Sequence, residues 1–190
     1  MTTAIRDNNP VLFVEHRLLY YTEADVPQEQ FEVPFGVANI CAPGSDVTIV
    51  AISNMVIESL RARELLDGIG IDAEIIDPIS LVPLDIETIV ASVEKTGHLL
   101  VVDNAWISCG MSAEIVAQVI QKASTPVRVD RLGFAPVPCP TTPTLEDAFY
   151  PNPATIASTA FRLLNPEMPD WAPDPERAAL AYQQKFRGPF

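Results

Sequence analysis

Hydrophobic and polar positions along the chain fall into two alternating periods. Short apolar runs of strand length are followed by stretches in which apolar residues recur every three or four positions. "GSDVTIVAI" is a strong strand signal, because Val47, Ile49, Val50 and Ile52 are mostly β-branched. Ser53 and Asn54 can cap the helix that follows. In that helix, over about 55–69, Met55, Ala62, Leu66 and Ile69 share one face, and Val56 and Leu60 form a second apolar edge. "DAEIID" predicts the next strand, and "PISLVPL" is a proline-punctuated connection. Asp85 caps a helix carrying Ile86, Ile89, Val90 and Val93 that stops at Thr96-Gly97. "HLLVVD" is an unbroken apolar run, as in a strand buried on both faces. "NAWISCG" predicts a loop, and the next helix carries Val116, Val119, Ile120 and Ala123 on one stripe. "PVRVDRLG" predicts a last strand, and a helix over about 154–164 closes the unit.

Strands alternating with helices in this way imply right-handed βαβ crossovers and a mostly parallel sheet covered on both faces. The two ends of the chain depart from the pattern. "TTAIRDNNPVLFVEH" reads as the end of a helix, a turn and a buried strand, and residues 21–34 read as a polar linker with Pro27 and Pro34. The final stretch, 165–190, reads as a proline-rich arm. Asp174-Pro175 starts a short amphipathic helix there, with Ala178, Tyr182 and Phe186 on one face.

Composition narrows the function classes. With 48% hydrophobic residues and a mean hydropathy of +0.18, the 190-residue chain is globular. No apolar run reaches the roughly 18 residues a membrane span needs. "MTTAIRDNNP" lacks the apolar core of a signal peptide, so the expectation is a cytoplasmic protein. A net charge of −13 repels phosphate backbones and anionic membranes, which argues against nucleic-acid or membrane binding. Cys41, Cys109 and Cys139 are widely spaced and odd in number, which suits neither a disulfide framework nor a zinc site. Eleven of the eighteen prolines cluster between residues 126 and 175 and mark a long extended region.

Candidate chemistry is sparse. "GIGIDA" matches G-x-G-x-x-A at Gly68, Gly70 and Ala73. It follows a helix and precedes a strand, the reverse of the dinucleotide fingerprint, so the glycines read as a helix stop and turn. Ligands of open α/β sheets sit at the strand C-termini. That edge would carry Ser53, Asn54, Asp77, Asp103, Asn104, Trp106 and Arg131, with Ser108, Cys109 and Asp130 close by. In a binding site, Asp103 and Arg131 would be polar ligands in a pocket walled by Trp106; in a purely structural role the same residues cap helices and pin loops. His16 and His98 lack the spacing of a metal pair or a catalytic dyad, and no G-x-S-x-G or Walker A loop occurs. The residues themselves therefore support a compact α/β module without a self-contained active site.

Longer stretches carry a resemblance. "EHRLLYYTEADVPQEQFEVPFGVANICAPGSDVTIVAIS" and "IDAEIIDPISLVPLDIETIVASVEKTGHLLVVDNAW" resemble the C-terminal part of the beta subunit of thiamine-diphosphate-dependent 2-oxoacid dehydrogenases, of the pyruvate, acetoin and branched-chain types. The similarity continues through "GMSAEIVAQVI" and "PVRVDRLGFAPVPCPTTPTLEDAFYP" and covers about residues 3–164. It implies a three-layer α/β/α sandwich, like the transketolase C-terminal domain, with a mostly parallel five-stranded sheet. The one antiparallel strand would lie at about Val37–Ile40.

The resemblance divides the chain into a remnant of an upstream pyrimidine-binding domain (1–20), a linker (21–34), a transketolase C-terminal-like domain (35–164) and the arm (165–190). It implies thiamine diphosphate and magnesium in the parent enzyme, held by domains upstream and on an alpha subunit, so that this chain alone binds neither and carries no catalytic residue. The implied partners are the alpha subunit, a second beta subunit and the lipoyl acyltransferase core, in a homo- or hetero-oligomer. A non-catalytic oligomerisation or partner-binding module, and a free-standing small-molecule-binding α/β domain, remain the alternatives.

Overall fold

The computed structural model describes residues 1–23, 25–168 and 171–182. Five strands form one sheet: β1 (Asn39–Ala42), β2 (Val47–Ala51), β3 (Ala73–Asp77), β4 (His98–Trp106) and β5 (Arg128–Phe134). Their order is β1-β3-β2-β4-β5. β1 runs antiparallel to β3, and the other neighbours are parallel. The antiparallel edge strand is thus present, two residues later than the resemblance implied.

Alternation along the central strands divides the core into two layers. Val47, Ile49 and Ala51 of β2 and Leu100 and Val102 of β4 face α2 (Met55–Asp67) and α6 (Pro153–Leu164). Val50, Leu99 and Val101 point the other way, against α3 (Ile86–Thr96) and α4 (Met111–Lys122). All five residues of β2 are buried, so the expected three-layer α/β/α sandwich is what the chain forms. Fully burying one such Leu or Ile stabilises the fold by about 1.5–3 kcal/mol.

Several polar groups inside the sandwich are paired. Thr48 is the polar residue of β2, and its hydroxyl meets those of Ser92 at 2.7 Å and Thr96 at 2.8 Å on α3. Glu74 interrupts the apolar run of β3. Its buried carboxylate accepts from Lys95 Nζ at 2.6 Å and from the Gly44 N–H at 3.2 Å. Asp85 caps α3 by accepting from the Thr88 N–H at 3.1 Å, and it also accepts from the Ala38 N–H at 2.9 Å. One side chain therefore starts a helix and fixes the entry to β1.

Several expectations are corrected. Residues 11–15 form no strand and add nothing to the sheet, and Leu12 and Val14 are largely exposed. The helical start is real, as α1 (Thr2–Arg6), whose Thr3 hydroxyl donates to the Val33 carbonyl at 2.6 Å and whose Arg6 pairs with Glu32. A 3-10 turn follows at Arg17–Tyr21. α2 stops at Asp67, leaving Ile69 half-exposed in the turn. Gly70 takes φ +80 there, a conformation that favours glycine, while Gly68 stays helical at φ −62. Neither Ser53 nor Asn54 caps α2 through its side chain. β4 continues to Trp106 through part of the expected loop, with an irregular register against β5. The stripe of α4 is rotated: Ser112, Ile115 and Val119 are buried, Val116 and Ala123 are partly buried, and Ile120 faces out. A short helix, α5 (Pro143–Phe149), was not anticipated in the proline-rich stretch.

The arm folds back onto the domain. Trp171 stacks on Phe161 of α6 with ring centroids 5.2 Å apart and packs against the α2/α6 core, and Pro173 is buried. Asp174 accepts from the Glu176 and Arg177 N–H groups at 2.9 and 3.2 Å and so starts α7 (Pro175–Tyr182), as its spacing predicted. Ala178 is half-buried, while Phe186 lies outside the described residues.

Candidate functional site

The C-terminal ends of β2, β3 and β4 converge on one edge of the sheet, with β5 alongside. Ser53 follows β2 in a left-handed conformation (φ 60) and is exposed, while Asn54 beside it is buried. Asp77 ends β3, and its Oδ1 accepts from the Ile79 N–H at 2.8 Å. Burial raises the Asp77 pKa, an effect only partly offset by that hydrogen bond.

Asp103 is the most enclosed of these groups, only 5% exposed. Its carboxylate lies against the first turn of α4 and accepts from the Ser112 N–H at 3.4 Å, with the Met111 and Asn104 N–H groups also directed at it. Burial nevertheless keeps its pKa above the usual carboxylate value. The approach is tight. A Cβ on Gly110 would lie 2.2 Å from the Trp106 carbonyl oxygen, so the turn between β4 and α4 requires glycine at that position.

Arg131 lies within β5 rather than at its end, in register with Val101. Its Nη1 donates to the Ile107 carbonyl at 2.9 Å. Asp130 beside it accepts from the Arg131 N–H at 2.8 Å and meets Arg162 of α6 at 3.4 Å. Asp103 thus holds the start of α4 and Arg131 the middle of the 104–110 segment, and no ion pair joins them among the described residues. Asn104 is half-buried and Trp106 is 56% exposed at the rim. An anionic ligand entering this edge would meet the carboxylates of Asp77 and Asp103, while the nearest guanidinium is already engaged.

The histidines stand apart from this edge. His98 Nδ1 contacts the Thr96 and Asp46 carbonyl oxygens at the opposite end of the sheet. His16 is partly buried, which lowers its pKa. The three thiols are free, and among the described residues no group of three His, Cys, Asp or Glu side chains could hold a metal ion. No helix among them is long and apolar enough to cross a membrane.

Two polar clusters went unforeseen. The pair of buried Glu74 with exposed Lys95 was signalled only by a charge inside an apolar run. The other lies past β5, where Phe134, Phe149 and Tyr150 stack with centroids 4.7–5.1 Å apart and Cys139 Sγ sits 2.9 Å from Tyr150 Oη. The bond to Cys139, with burial, pushes the Tyr150 hydroxyl up to about 12. That grouping depends on α5, which the proline-rich sequence concealed.

A five-stranded mixed sheet between two helical layers defines the three-layer α/β/α class of domains. Residues 36–156 match the family of transketolase C-terminal domains, and the chain belongs to that family. Over 163 residues it is 45% identical to the acetoin:2,6-dichlorophenolindophenol oxidoreductase subunit beta of Cupriavidus necator, covering 85% of this chain and 48% of that protein. It is 38% identical over 167 residues to the pyruvate dehydrogenase E1 component subunit beta of Bacillus subtilis, covering 86% of this chain and 51% of that one. The chain therefore spans about half the length of the curated relatives it matches. Among solved structures it resembles a split-gene transketolase described as an inactive beta4 tetramer, with a TM-score of 0.67 and 26% identity over 76% of this chain and 46% of that one.

Proposed function

We propose that this chain is the C-terminal assembly domain of the beta subunit of a thiamine-diphosphate-dependent 2-oxoacid dehydrogenase. The parent reaction is oxidative decarboxylation of a 2-oxoacid with transfer of the acyl group to a lipoyl group, in the cytoplasm. The observation that carries the reading is the match of residues 36–156 to transketolase C-terminal domains, together with identity of up to 45% to acetoin and pyruvate dehydrogenase beta subunits. Residues 1–20 are assigned to the end of a pyrimidine-binding domain, 21–34 to the linker, 35–164 to the assembly domain and 165–190 to an added arm.

When bound, thiamine diphosphate supplies the carbanion chemistry and the protein orients it. The residues described here do not suit that cofactor or its magnesium. The strand-end edge presents Asp77 and Asp103, Arg131 is committed to a backbone carbonyl, and no trio of metal ligands lies among the described residues. The catalytic groups are therefore assigned to the half of the relatives that this chain does not match, and to an alpha subunit. A second beta subunit and the acyltransferase core are the further partners. The arm on α6 adds a covering that such contacts would have to accommodate.

Complementation tests this. The chain is mixed with the N-terminal half of the Cupriavidus necator beta subunit and its accompanying alpha subunit, plus thiamine diphosphate and magnesium. Decarboxylation of pyruvate and cleavage of acetoin are then followed. Activity in the mixture and none from the chain alone is expected. Micromolar binding of thiamine diphosphate to the chain alone, by calorimetry, would overturn the assignment of the cofactor to other domains.

A further inference from the structure

Of the chain's three lysines, Lys185 lies outside the described residues and the other two invite comparison. Lys95, in the last turn of α3, and Lys122, in the last turn of α4, are about equally open to solvent, at 47% and 45% of their side chains. Each pairs with one glutamate. Glu87, the partner of Lys122, is 76% exposed, whereas Glu74, the partner of Lys95, is 3% exposed. Water can take the place of an ammonium beside Glu87, but Glu74 is sealed from it.

Little else is free to serve Glu74. Its Oε2 receives Lys95 Nζ at 2.6 Å and the Gly44 N–H at 3.2 Å, and the Ser92 hydroxyl is also directed at the carboxylate. The Gly44 turn is already pressed against β3: a Cβ there would stand 2.3 Å from the Ala73 carbonyl carbon, so the turn cannot move closer. Ser92 is shared with Thr48, and Thr48 with Thr96. Ser92, Lys95 and Thr96 stand three and four positions apart, on one face of α3. One exposed amine thus completes a polar chain that seats the helix on β2 and β3. Burial acts against the ionised carboxylate, and Lys95 supplies the opposing charge.

We propose that Lys95 is a site of covalent acylation by acyl thioesters, and that the modification unseats α3 by removing the charge that holds Glu74. The proposal rests on the dehydrogenase reading above, whose parent reaction makes an acyl thioester on a lipoyl group, so that acylation of Lys95 is feedback from the product. Glu74 is placed to take the proton that the ammonium must lose before it reacts. The amine nitrogen attacks the thioester carbonyl carbon, the C–N bond forms and the C–S bond breaks. The departing thiolate takes the second proton from nitrogen. Ammonium, carboxylate and thioester become amide, carboxylic acid and thiol. Both members of the former pair end uncharged, the form that burial favours, but the charge-assisted bond is gone.

The test uses the full chain. It is incubated with acetyl-coenzyme A and, separately, with S-acetyldihydrolipoamide, and acetylation at each lysine is mapped by mass spectrometry. Modification of Lys95 is expected, and the thioester that reacts identifies the donor. Lys95→Gln, which mimics the acylated side chain, should shift the unfolding equilibrium by about tenfold or more and raise amide exchange over α3. Lys95→Arg keeps the charge, and Lys122→Gln breaks the exposed pair; both should stay within about threefold of wild type. The double variant Glu74→Gln/Lys95→Gln should recover part of the loss, because no buried carboxylate is left unpaired. Lys95 left unmodified by both thioesters overturns the site. Lys95→Gln as stable as Lys122→Gln, or a double variant no more stable than Lys95→Gln, overturns the coupling to α3. None of these results bears on the dehydrogenase reading, which fails separately if the complementation mixture is inactive.

Discussion

The two ends of this chain begin from similar material and meet different fates. Both carry prolines, aromatic or branched apolar residues and a short helix. The C-terminal arm folds back across α2 and α6: Trp171 stacks on Phe161, Pro173 is buried, and Arg177 lies close to Gly68 at the end of α2. α2 has no basic residue in its last turn, so a cation brought there by the arm meets the negative end of the helix dipole. The N-terminal segment has comparable apolar content, yet Leu12 and Val14 stay largely exposed and its anchors are surface contacts to Val33 and Glu32. The difference lies in what each segment finds. The arm meets the partly covered apolar residues Leu163 and Leu164 at the end of a helix, whereas the N-terminal run joins neither the sheet nor the core clusters. Apolar sequence is buried only where a complementary surface waits for it.

The contrast can be broken from the C-terminal side first. Trp171→Ala should cost about 2 kcal/mol of stability, less than a fully buried aromatic because the ring is half-exposed. The readout is the urea midpoint, with increased binding of a hydrophobic dye reporting the uncovered α6 face. Asp85→Ala should cost about 1–2 kcal/mol, by removing the α3 cap and freeing the Ala38 N–H. Amide exchange at β1 should rise along with the loss of stability, since the same carboxylate serves both elements.

A smaller effect separates two kinds of carboxylate by pH. Asp103 has a raised folded pKa, so its contribution favours folding below its unfolded pKa of 3.8 and is lost as pH rises through the folded value. Burial also acts against ionised Glu74, but Lys95, Ser92 and the Gly44 N–H outweigh it and leave that pKa lowered. Its contribution is present above 4.5 and lost as pH falls through the folded value. Asp103→Asn should therefore look more favourable, relative to wild type, at pH 7 than at pH 4, and Glu74→Gln should show the opposite trend. Urea midpoints at the two pH values decide this. The smallest effect is expected at the N-terminal segment, where Leu12→Ser and Val14→Ser should change stability by no more than about 0.5 kcal/mol. A large loss there would mean that the segment is buried in solution.

Local pattern made much of the fold legible. The stripe of Ile86, Ile89, Val90 and Val93 is buried as written, and Asp85 and Gly97 end that helix where expected. Residues 11–15 and α4 show the limit. Apolar content does not say whether a segment will join a sheet, and on α4 the expected stripe of Val116, Val119, Ile120 and Ala123 gave way to the face through Ser112, Ile115 and Val119. At the strand ends the residue types were readable, but their partners were not. Asp103 turned to the first turn of α4, and Arg131 to the Ile107 carbonyl.

By itself, then, the sequence determined the alternation of strands and helices, the cap of α3, the family and the acidic net charge, all of which depend on residues close together in the chain or on totals along it. Only the tertiary structure decided which apolar segments are covered, how the arm seals α6, and that Lys95 reaches the buried carboxylate of Glu74. Those outcomes depend on contacts between residues far apart in the chain, and the geometry that joins them exists only once the sheet has formed.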